Sequence, residues 1–293
     1  MENWDEVRTA FQVARMGTVS GAAEVLGVHH ATVIRHVDAL EARMGVKLFQ
    51  RHARGYTATE AGQDLLRVAQ ATDDQFAQLL SRIRGAGDAV SGELVVTSIG
   101  GLAGLMIPAM DAFRMAHPEV ILRYLTGERL FRLEYGEAHV AIRAGSAPQE
   151  PDNVVQPFFR QRTGLYCSRA YAERFGMPDS PTDYPQHWFI GSDDHDTRAP
   201  FYKWLWENIP AERIILRATD LRTAELGVLQ GMGIGFLPLW MAQEYPDLLE
   251  VCPPDPEWEA PLWLVTHVDL HRTSKVQAFL THLKETAADW DAV

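Results

Sequence analysis

The stretch that decides the fold is residues 19–66, which read VSGAAEVLGVHHATVIRHVDALEARMGVKLFQRHARGYTATEAGQDLL. Ser20 can cap a short helix that ends at Gly27, and a second helix is predicted from about 30 to 44, with Gly45 after it. The apolar stripe of this second helix is formed, at helical spacing, by Val33, Val37, Leu40 and Met44. Two short helices joined by a tight turn form a helix-turn-helix, whose second helix can enter the major groove of DNA.

A basic hairpin is predicted directly after the second helix. Residues 46–49 indicate a strand, residues 51–55 a turn and residues 56–57 the return strand. Such a wing would place Arg51 and Arg54 against phosphates or into a minor groove. The side chains that we expect to contact DNA are Ser20, His30, Thr32, Arg35, His36, Arg51 and Arg54. Charged residues on a helix usually form only a solvated face, so a generic small helical domain is the alternative at this point.

Two more helices are predicted from capping boxes, in which a polar residue and an acid three positions later satisfy the first backbone N–H groups. Asn3 with Glu6 opens the first helix of the chain, and Thr57 with Glu60 opens a long helix that ends near 85–87. The apolar face of the long helix recurs in seven steps over 25 residues, at 61, 65, 68, 72, 76, 79, 83 and 86. Such a helix needs a surface that covers this face. We expect the same helix of a second subunit, and the alternative is a solitary helix on its own domain.

Charge is unevenly distributed along the chain. The 27 Lys and Arg residues against 39 Asp and Glu residues give a net charge of −12, which argues at first against a nucleic-acid partner. Residues 1–90 hold 10 basic and 11 acidic residues, a net −1, whereas residues 91–293 hold 17 and 28, a net −11. Within 29–54, five basic residues stand against two acidic ones. Because the charge is segregated, the total does not exclude DNA.

Composition excludes several other classes of protein. A hydrophobic content of 46% excludes a wholly disordered chain. No stretch approaches the roughly 18 apolar residues that span a membrane, and the first residues lack the apolar run of a signal peptide. The two cysteines, Cys167 and Cys252, indicate neither a disulfide framework nor a metal site. We therefore predict a cytoplasmic protein with no membrane partner.

Beyond residue 90, predicted strands alternate with predicted helices, which favours a parallel α/β sheet. The predicted strands are 93–98, 120–125, 139–143, 164–167, 214–216, 233–237 and 262–266. No nucleophile and base occur in a recognisable catalytic spacing, so no enzymatic activity is predicted.

The stretch 19–66 resembles the DNA-binding region of LysR-type transcriptional regulators. The residues that carry the resemblance are Ala22, Ala23, Leu26, Val33, Leu40, Glu41, Gly45, Leu48, Phe49, Gln50, Arg51, Thr57, Glu60, Ala61 and Gly62. The resemblance implies a winged helix-turn-helix at 1–58, a dimerising linker helix and hinge at 59–89, and an effector-binding domain at 90–293. That last domain is expected to be of the two-lobed α/β, periplasmic-binding-protein type, with crossovers near 160 and 262. Weaker matches to it are the segments 105–120, 164–176 and 228–238.

Two positions depart from the family's pattern. Ile34 stands where the family commonly has serine, and His29-His30 replaces a common Ser-Gln pair. A serine hydroxyl can hydrogen-bond to DNA, whereas Ile34 offers only an apolar contact, for example to a thymine methyl group. We therefore expect Arg35 and the wing arginines to carry more of the DNA contact.

Loops that follow the predicted strands supply the candidate effector site, because ligands of such folds bind at the carboxyl ends of strands. The candidates are Ser98, Ile99, Gly100, Thr126, Gly127, Arg143, Ser192, Asp193 and Thr219. Arg143 is either a clamp for a carboxylate or phosphate, or the partner of a neighbouring acid in an ion pair. The neighbours Asp193 and Asp194 leave open a ligand that carries amines or several hydroxyls.

The predicted function is a DNA-binding transcriptional regulator that a small molecule controls from the cleft of the C-terminal domain. Its expected partners are double-stranded promoter DNA, a small-molecule co-inducer, which is an anion if Arg143 is a clamp, and further copies of the chain. The copies would form a homodimer through the linker helix and, by the resemblance, a homotetramer. No other cofactor is predicted. The alternative is a small-molecule receptor whose N-terminal domain mainly dimerises or contacts protein.

Overall fold

A computed structural model of the chain describes residues 3–52, 55–83, 90–127 and 130–290. Its N-terminal part contains, in chain order, α1 (Trp4–Met16), α2 (Val19–Leu26), α3 (His30–Met44), β1 (Phe49–His52), β2 (Gly55–Ala58) and α4 (Glu60–Ile83). The first three helices enclose a small apolar core, and β1 pairs antiparallel with β2. The predicted winged helix-turn-helix, followed by a long helix, is confirmed.

A glycine follows each of the first three helices, and those after α2 and α3, Gly27 and Gly45, stand at the predicted positions. Gly17, Gly27 and Gly45 have φ angles of 68°, 65° and 69°, a left-handed conformation that glycine adopts without a Cβ clash. The start of α1 also follows the prediction. The side-chain oxygen of Asn3 accepts a backbone N–H of the first turn at 3.2 Å, and its amide donates to the Glu6 carboxylate at 2.8 Å.

Two predicted caps are wrong by two residues each. The hydroxyl of Thr18 caps α2 by accepting a backbone N–H at 3.1 Å, and Ser20 lies inside that helix. Thr59 caps α4 by accepting the N–H of Gly62 at 3.2 Å, whereas Thr57 belongs to β2. A capping residue needs an extended backbone immediately before the first helical residue, and Ser20 and Thr57 do not stand there.

The wing is shifted along the chain relative to its prediction. β1 begins at Phe49 rather than Val46. The backbone N–H of Leu48, just before the strand, donates to the carboxylate of Glu41 in α3. Arg51 pairs with Tyr56 across the two strands. Arg51 is therefore a strand residue and not part of the turn, and the predicted contact residue Arg54 lies outside the described residues.

The C-terminal part contains two five-stranded sheets, each packed with helices. The first lobe is built from β3 (Gly92–Ser98), α5 (Ala103–Ala116), β4 (Val120–Thr126), β5 (Val140–Ala144), β6 (Asn153–Gln161), β12 (Ala260–His267), α10 (Val268–His271) and α11 (Ser274–Trp290). The second lobe is built from β7 (Thr163–Ser168), α6 (Arg169–Phe175), β8 (Phe189–Ser192), α7 (Pro200–Asn208), β9 (Ile214–Ala218), α8 (Leu221–Leu229), β10 (Ile234–Pro238), α9 (Leu239–Ala242) and β11 (Leu248–Cys252). The predicted α/β class with two lobes is confirmed.

Both sheets are mixed, so the expectation of a parallel sheet is wrong in part. The strand orders are β4-β3-β5-β12-β6 and β11-β7-β10-β8-β9. β3 runs parallel to β4 and β5, and β8 runs parallel to β9 and β10. β12 returns from the second lobe and therefore enters the first sheet antiparallel to its neighbours, as β7 does in the second sheet.

Each lobe has its own apolar core. The chain passes from the first lobe to the second between β6 and β7, and returns between β11 and β12. The domain bounds at 58 and 89 stay predictions, since residues 84–89 lie outside the described part. None of the described helices is long and apolar enough to cross a membrane.

Candidate DNA interface and effector cleft

The outer face of α3 carries the candidate contacts with DNA. Val33, Val37 and Leu40 are buried in the core, which turns Arg35 to the opposite, exposed face. His30 is exposed as the first residue of α3. Arg35 makes no ion pair or hydrogen bond within the part of the chain that the structure describes. Its guanidinium is therefore available to base edges or phosphates. Also accessible are Ser20 and Ile34, which are exposed, and Thr32, which is half-buried.

His36 is oriented by α1 rather than projecting freely from α3. Its Nδ1 lies 2.9 Å from the hydroxyl of Thr9, a buried residue. The same hydroxyl donates its one proton to the backbone carbonyl of Asp5 at 2.6 Å. Because a hydroxyl has a single proton, Nδ1 of His36 must be the donor to Thr9. In the neutral ring, Nε2 then carries the lone pair and can only accept a hydrogen bond.

A buried carboxylate connects the wing to α3. Glu41 Oε1 accepts the backbone N–H groups of Leu48 at 2.9 Å and Phe49 at 3.2 Å, and Oε2 accepts from Lys47 Nζ at 2.7 Å. Burial alone would raise the pKa of Glu41, but these hydrogen bonds outweigh it and lower the pKa below its ordinary value. Glu41 therefore remains a carboxylate that holds the entry to β1.

Arg51, predicted as a phosphate contact, is already engaged inside the domain. Its Nη2 donates to Asp38 and lies 3.2 Å from Glu41 Oε2, and the guanidinium lies 5.3 Å from the ring centre of Tyr56. These contacts raise the pKa of Arg51, chiefly through the hydrogen bond to Asp38. The side chain is still about a third exposed, at 36%. It can approach a phosphate only at the edge that these partners leave open.

An apolar groove of about 860 Å³ runs between α1, α3 and α4. Its apolar lining includes Trp4, Val7, Phe11, Met44, Leu65, Val68 and Phe76. Met44 was predicted to join the core stripe of α3, but it is the last residue of that helix and is exposed toward this groove. Trp4 and Phe76 make an edge-to-face contact with ring centres 6.5 Å apart, and both remain more than half exposed.

The cleft of the C-terminal part holds a cavity of about 280 Å³. Of the nine candidate effector residues, Ser98, Ile99, Gly127 and Arg143 line it. The other five candidates also lie at or just after the ends of strands, but they do not line the cavity: Gly100, Thr126, Ser192, Asp193 and Thr219. The expectation that ligands bind at the carboxyl ends of strands therefore identified lining residues of the cavity in the first lobe but none in the second.

Two of the lining side chains are already paired within the chain. Arg143 Nη1 lies 3.5 Å from Glu150 Oε1, and its Nη2 donates to the Phe131 carbonyl at 3.1 Å. Ser98 donates to its neighbouring backbone carbonyl at 2.8 Å, so the hydroxyl of Tyr124, 2.5 Å away, donates to Ser98. Burial raises the pKa of Tyr124. The Ser98 hydroxyl proton is therefore donated within the chain and is not available to an anionic ligand.

The chain is similar to known proteins over nearly all of its length. Residues 4–63 match the family described as bacterial regulatory helix-turn-helix protein, lysR family, and residues 87–288 match the LysR substrate binding domain. The chain belongs to the LysR family. It is a DNA-binding transcriptional regulator with an effector-binding domain, and the alternative of a receptor without a DNA-binding role is not favoured.

Individual relatives of this LysR-type regulator agree with that assignment. AmpR, an HTH-type transcriptional activator of Pseudomonas aeruginosa, is 30% identical over 231 residues, which are 78% of this chain and 76% of AmpR. A full-length OxyR variant from Pseudomonas aeruginosa has a TM-score of 0.73 at 18% identity, covering 97% of this chain and 95% of that chain. Full-length CbnR in complex with its target DNA has a TM-score of 0.58 at 20% identity, covering 97% and 100%. At these identities the two structures establish the shared fold.

Three side chains of the LysR-type regulator make contacts near the candidate sites that the sequence did not indicate. Glu41 was predicted to carry the family resemblance but not to be buried, although its place next to the apolar Leu40 could have indicated burial. Thr9 carries no signal, because only the packing of α1 on α3 brings it to His36. Arg198 lines the cavity from the loop between β8 and α7, and no local pattern distinguishes it from a solvated arginine.

Other candidate sites in the LysR-type regulator stay without support. No group of three or more histidine, cysteine or acidic residues within the described ranges could hold a metal ion. His195, which lies between Asp194 and Asp196, stacks on Trp206 with ring centres 3.8 Å apart. Burial raises the pKa of the Cys167 thiol to about 11, which disfavours the reactive thiolate. Burial also raises the pKa of Cys252.

Proposed function

We propose that this regulator binds double-stranded promoter DNA as a homodimer, with α3 of each subunit in a major groove and the wing against the backbone. Arg35 carries the proposal, since it projects from the exposed face of α3 with no partner among the described residues. Ser20, His30 and Thr32 are proposed as further contacts, and Arg51 as a partial one. A guanidinium in the major groove pairs best with guanine O6 and N7.

The test is DNA binding by Arg35→Ala on the chain's own upstream DNA and on unrelated DNA. We expect roughly a tenfold to hundredfold loss on cognate DNA and a smaller loss on unrelated DNA, because base readout is lost. Arg272→Ala removes the same charge from an exposed position of the C-terminal part and serves as the control. Equal losses on both DNAs would make Arg35 a phosphate contact. Failure of the wild type to bind this DNA or any selected pool would contradict the proposal.

The apolar groove supports dimerisation through α4. Val68 and Phe76 are more than half exposed in the single chain, and water contact of such a strip is unfavourable. The α4 helix of a second subunit would cover it and present two α3 helices to a pseudo-palindromic site. Assembly of dimers into a tetramer is proposed from the family alone.

Light scattering of Phe76→Glu tests the dimer. The buried charge would oppose association, so we expect the mass to fall toward that of a monomer with the helix content unchanged. Val268→Glu places the same charge at another half-exposed apolar position and should leave the mass unaltered. A dimeric Phe76→Glu would place the interface elsewhere.

The cavity in the C-terminal part is the proposed site of a small anionic co-inducer, and we propose neither another cofactor nor an enzymatic reaction. As a regulator of promoter DNA, the protein would work in the cytoplasm. Thermal unfolding of the full chain with candidate metabolites tests the site. A ligand at 100 times its dissociation constant stabilises the folded state by about 2.7 kcal/mol. Stabilisation by cationic metabolites alone would contradict an anionic co-inducer.

A further inference from the structure

The ion pair between Arg143 and Glu150 is asymmetric. The Arg143 side chain is only 12% exposed, and its second amino group is fixed by the Phe131 carbonyl. The Glu150 side chain is 55% exposed and lies at the solvent side of the cavity. A buried guanidinium depends on a counter-charge, whereas an exposed carboxylate is readily hydrated. Glu150 is therefore the partner that can leave, provided that another anion replaces it.

A second cation faces the same cavity from the other lobe. Arg198 lies between β8 and α7, is exposed, and makes no hydrogen bond or ion pair within the part of the chain that the structure describes. The charged residues that line the cavity are Arg143, Glu150 and Arg198. The cavity thus has one positive charge in excess with Glu150 inside, and two if Glu150 leaves.

We propose that the cleft binds a small dianion, one acidic group on Arg143 and the other on Arg198, and that Glu150 occupies the first position until the ligand arrives. This inference rests on the proposed function and names the ligand class of its effector site. The volume of about 280 Å³ is at the low end for ligand pockets, so the dianion is a compact one. Arginine suits both positions because its guanidinium binds a carboxylate through two parallel hydrogen bonds.

Displacement of Glu150 would couple ligand binding to the strand that leads into the second lobe. Glu150 accepts hydrogen bonds from the backbone N–H of Asn153 at 3.1 Å, through its carbonyl, and from the Asn153 side chain at 3.3 Å. Asn153 is the first residue of β6, the strand that leads directly into β7 of the second lobe. A ligand that replaces Glu150 therefore releases the start of β6 from Arg143 and, through Arg198, ties the two lobes together.

Calorimetric titration of the full-length chain tests the ligand class. The probes are malonate, succinate and glutarate as dianions of graded length, propionate as a monoanion, and putrescine as a dication. We expect at least one dianion to bind more tightly than propionate by roughly tenfold, the value of one additional charged hydrogen-bond pair, and putrescine not to bind. Absence of binding by all three dianions, or equal binding of propionate, overturns the proposal.

Two variants assign the positions. Arg198→Gln is expected to reduce dianion affinity roughly tenfold, to that of propionate, and to leave propionate affinity unchanged. Glu150→Gln removes the internal competitor, so both acids should bind more tightly. Arg272→Gln and Glu119→Gln make the same charge changes at exposed positions outside the cavity and are the controls. Weaker binding in Glu150→Gln, or no effect of Arg198→Gln, overturns the assignment.

Operator binding separates this inference from the proposed function. If the chain binds its upstream DNA and no dianion, the proposed ligand class is wrong and the proposed DNA-binding function is retained. If a dianion binds and Arg198→Gln weakens it, but no DNA is bound, the cleft assignment stands and the proposed function fails.

Discussion

Glu41 shows how one residue can set the position of a whole hairpin. Its carboxylate, in the last turns of α3, accepts the two backbone N–H groups at the start of β1 and also pairs with Lys47. The Glu41 side chain is 2% exposed, so water cannot replace its bonds to the two backbone N–H groups. The wing therefore follows α3 as a unit, and the distance between the reading helix and the wing is fixed within the folded domain.

Glu41→Gln is expected to destabilise the N-terminal domain by about 2–3 kcal/mol at neutral pH. The amide keeps one acceptor oxygen for the two N–H groups, but it loses the charge that strengthens these bonds and its NH2 group faces Lys47 and Arg51, which are donors too. Urea unfolding of the wild type and the variant measures the difference. Glu60→Gln, at an exposed position of α4, is the control. An unchanged midpoint in Glu41→Gln would contradict the role of the carboxylate.

The effect of Glu41→Gln should depend on pH in one direction. The pKa of Glu41 is lower in the folded chain than its ordinary value of 4.5. A carboxyl group of this kind stabilises the fold fully above the pKa of the unfolded chain, and the stabilisation is lost as the pH falls through the folded pKa. The gap in unfolding free energy between wild type and variant is therefore expected to be full at neutral pH and to shrink below about pH 4.

Thr9 gives a prediction about base preference. In the neutral ring of His36, Nε2 accepts hydrogen bonds, which suits the amino groups of cytosine or adenine in the major groove. Thr9→Val removes the acceptor that orients the ring, so preference at one operator position should fall by about 1 kcal/mol while salt dependence stays the same. Selection from a randomised operator pool measures the preference. Thr9→Ser keeps the hydroxyl and should retain it, and an unaltered preference in Thr9→Val would exclude a role for His36.

At the scale of elements, the junction between the wing and α4 depends on Gly62. A Cβ at this position would lie 2.1 Å from the carbonyl oxygen of Leu48, a contact with backbone that cannot move aside. Helix propensity alone predicts that Gly62→Ala stabilises α4 by about 1 kcal/mol. We expect the opposite, a lower thermal midpoint, because the steric conflict would separate the helix from the strand entry. A higher midpoint would show that the junction can open without loss.

The ends of α2 and α3 could be predicted from the sequence, because glycine stops such as Gly27 and Gly45 act locally. Strand positions could not be predicted equally well. β1 begins three residues late because its entry bonds to Glu41, a contact between distant positions that no local pattern shows. In the second lobe, β8 and β11 were missed. The four residues of β8 are all buried and those of β11 are mostly half-buried, so neither strand shows the alternation that identifies a strand. Arg198 belongs to the same class, because its role depends on how two lobes meet.

For the whole molecule, the net charge of −12 describes two parts with different tasks. Basic residues cluster near α3, the proposed DNA-contacting helix, while most of the acidic excess lies beyond residue 90. One acid links the parts, since Glu93 Oε1 lies 3.1 Å from Arg15 of α1 and 3.2 Å from Arg123 of β4. Partly exposed ion pairs of this kind contribute less than about 1 kcal/mol. We expect the acidic surface beyond residue 90 to limit which face of the protein can approach a polyanion.

Neutralising part of that acidic surface should reduce the preference of the protein for its operator over unrelated DNA. Glu119, Glu212, Glu244 and Glu257 are exposed and form no ion pair in the described ranges, and their replacement by glutamine changes the net charge from −12 to −8. We expect binding to unrelated DNA to strengthen roughly threefold more than binding to the operator at low salt, because repulsion opposes every docking orientation except that of the basic face. Anisotropy titrations measure both affinities, and the difference should vanish at high salt, where charges are screened. The same four positions changed to aspartate keep the charge and are the control. Equal strengthening on both DNAs would mean that the acidic surface repels DNA without orienting the protein.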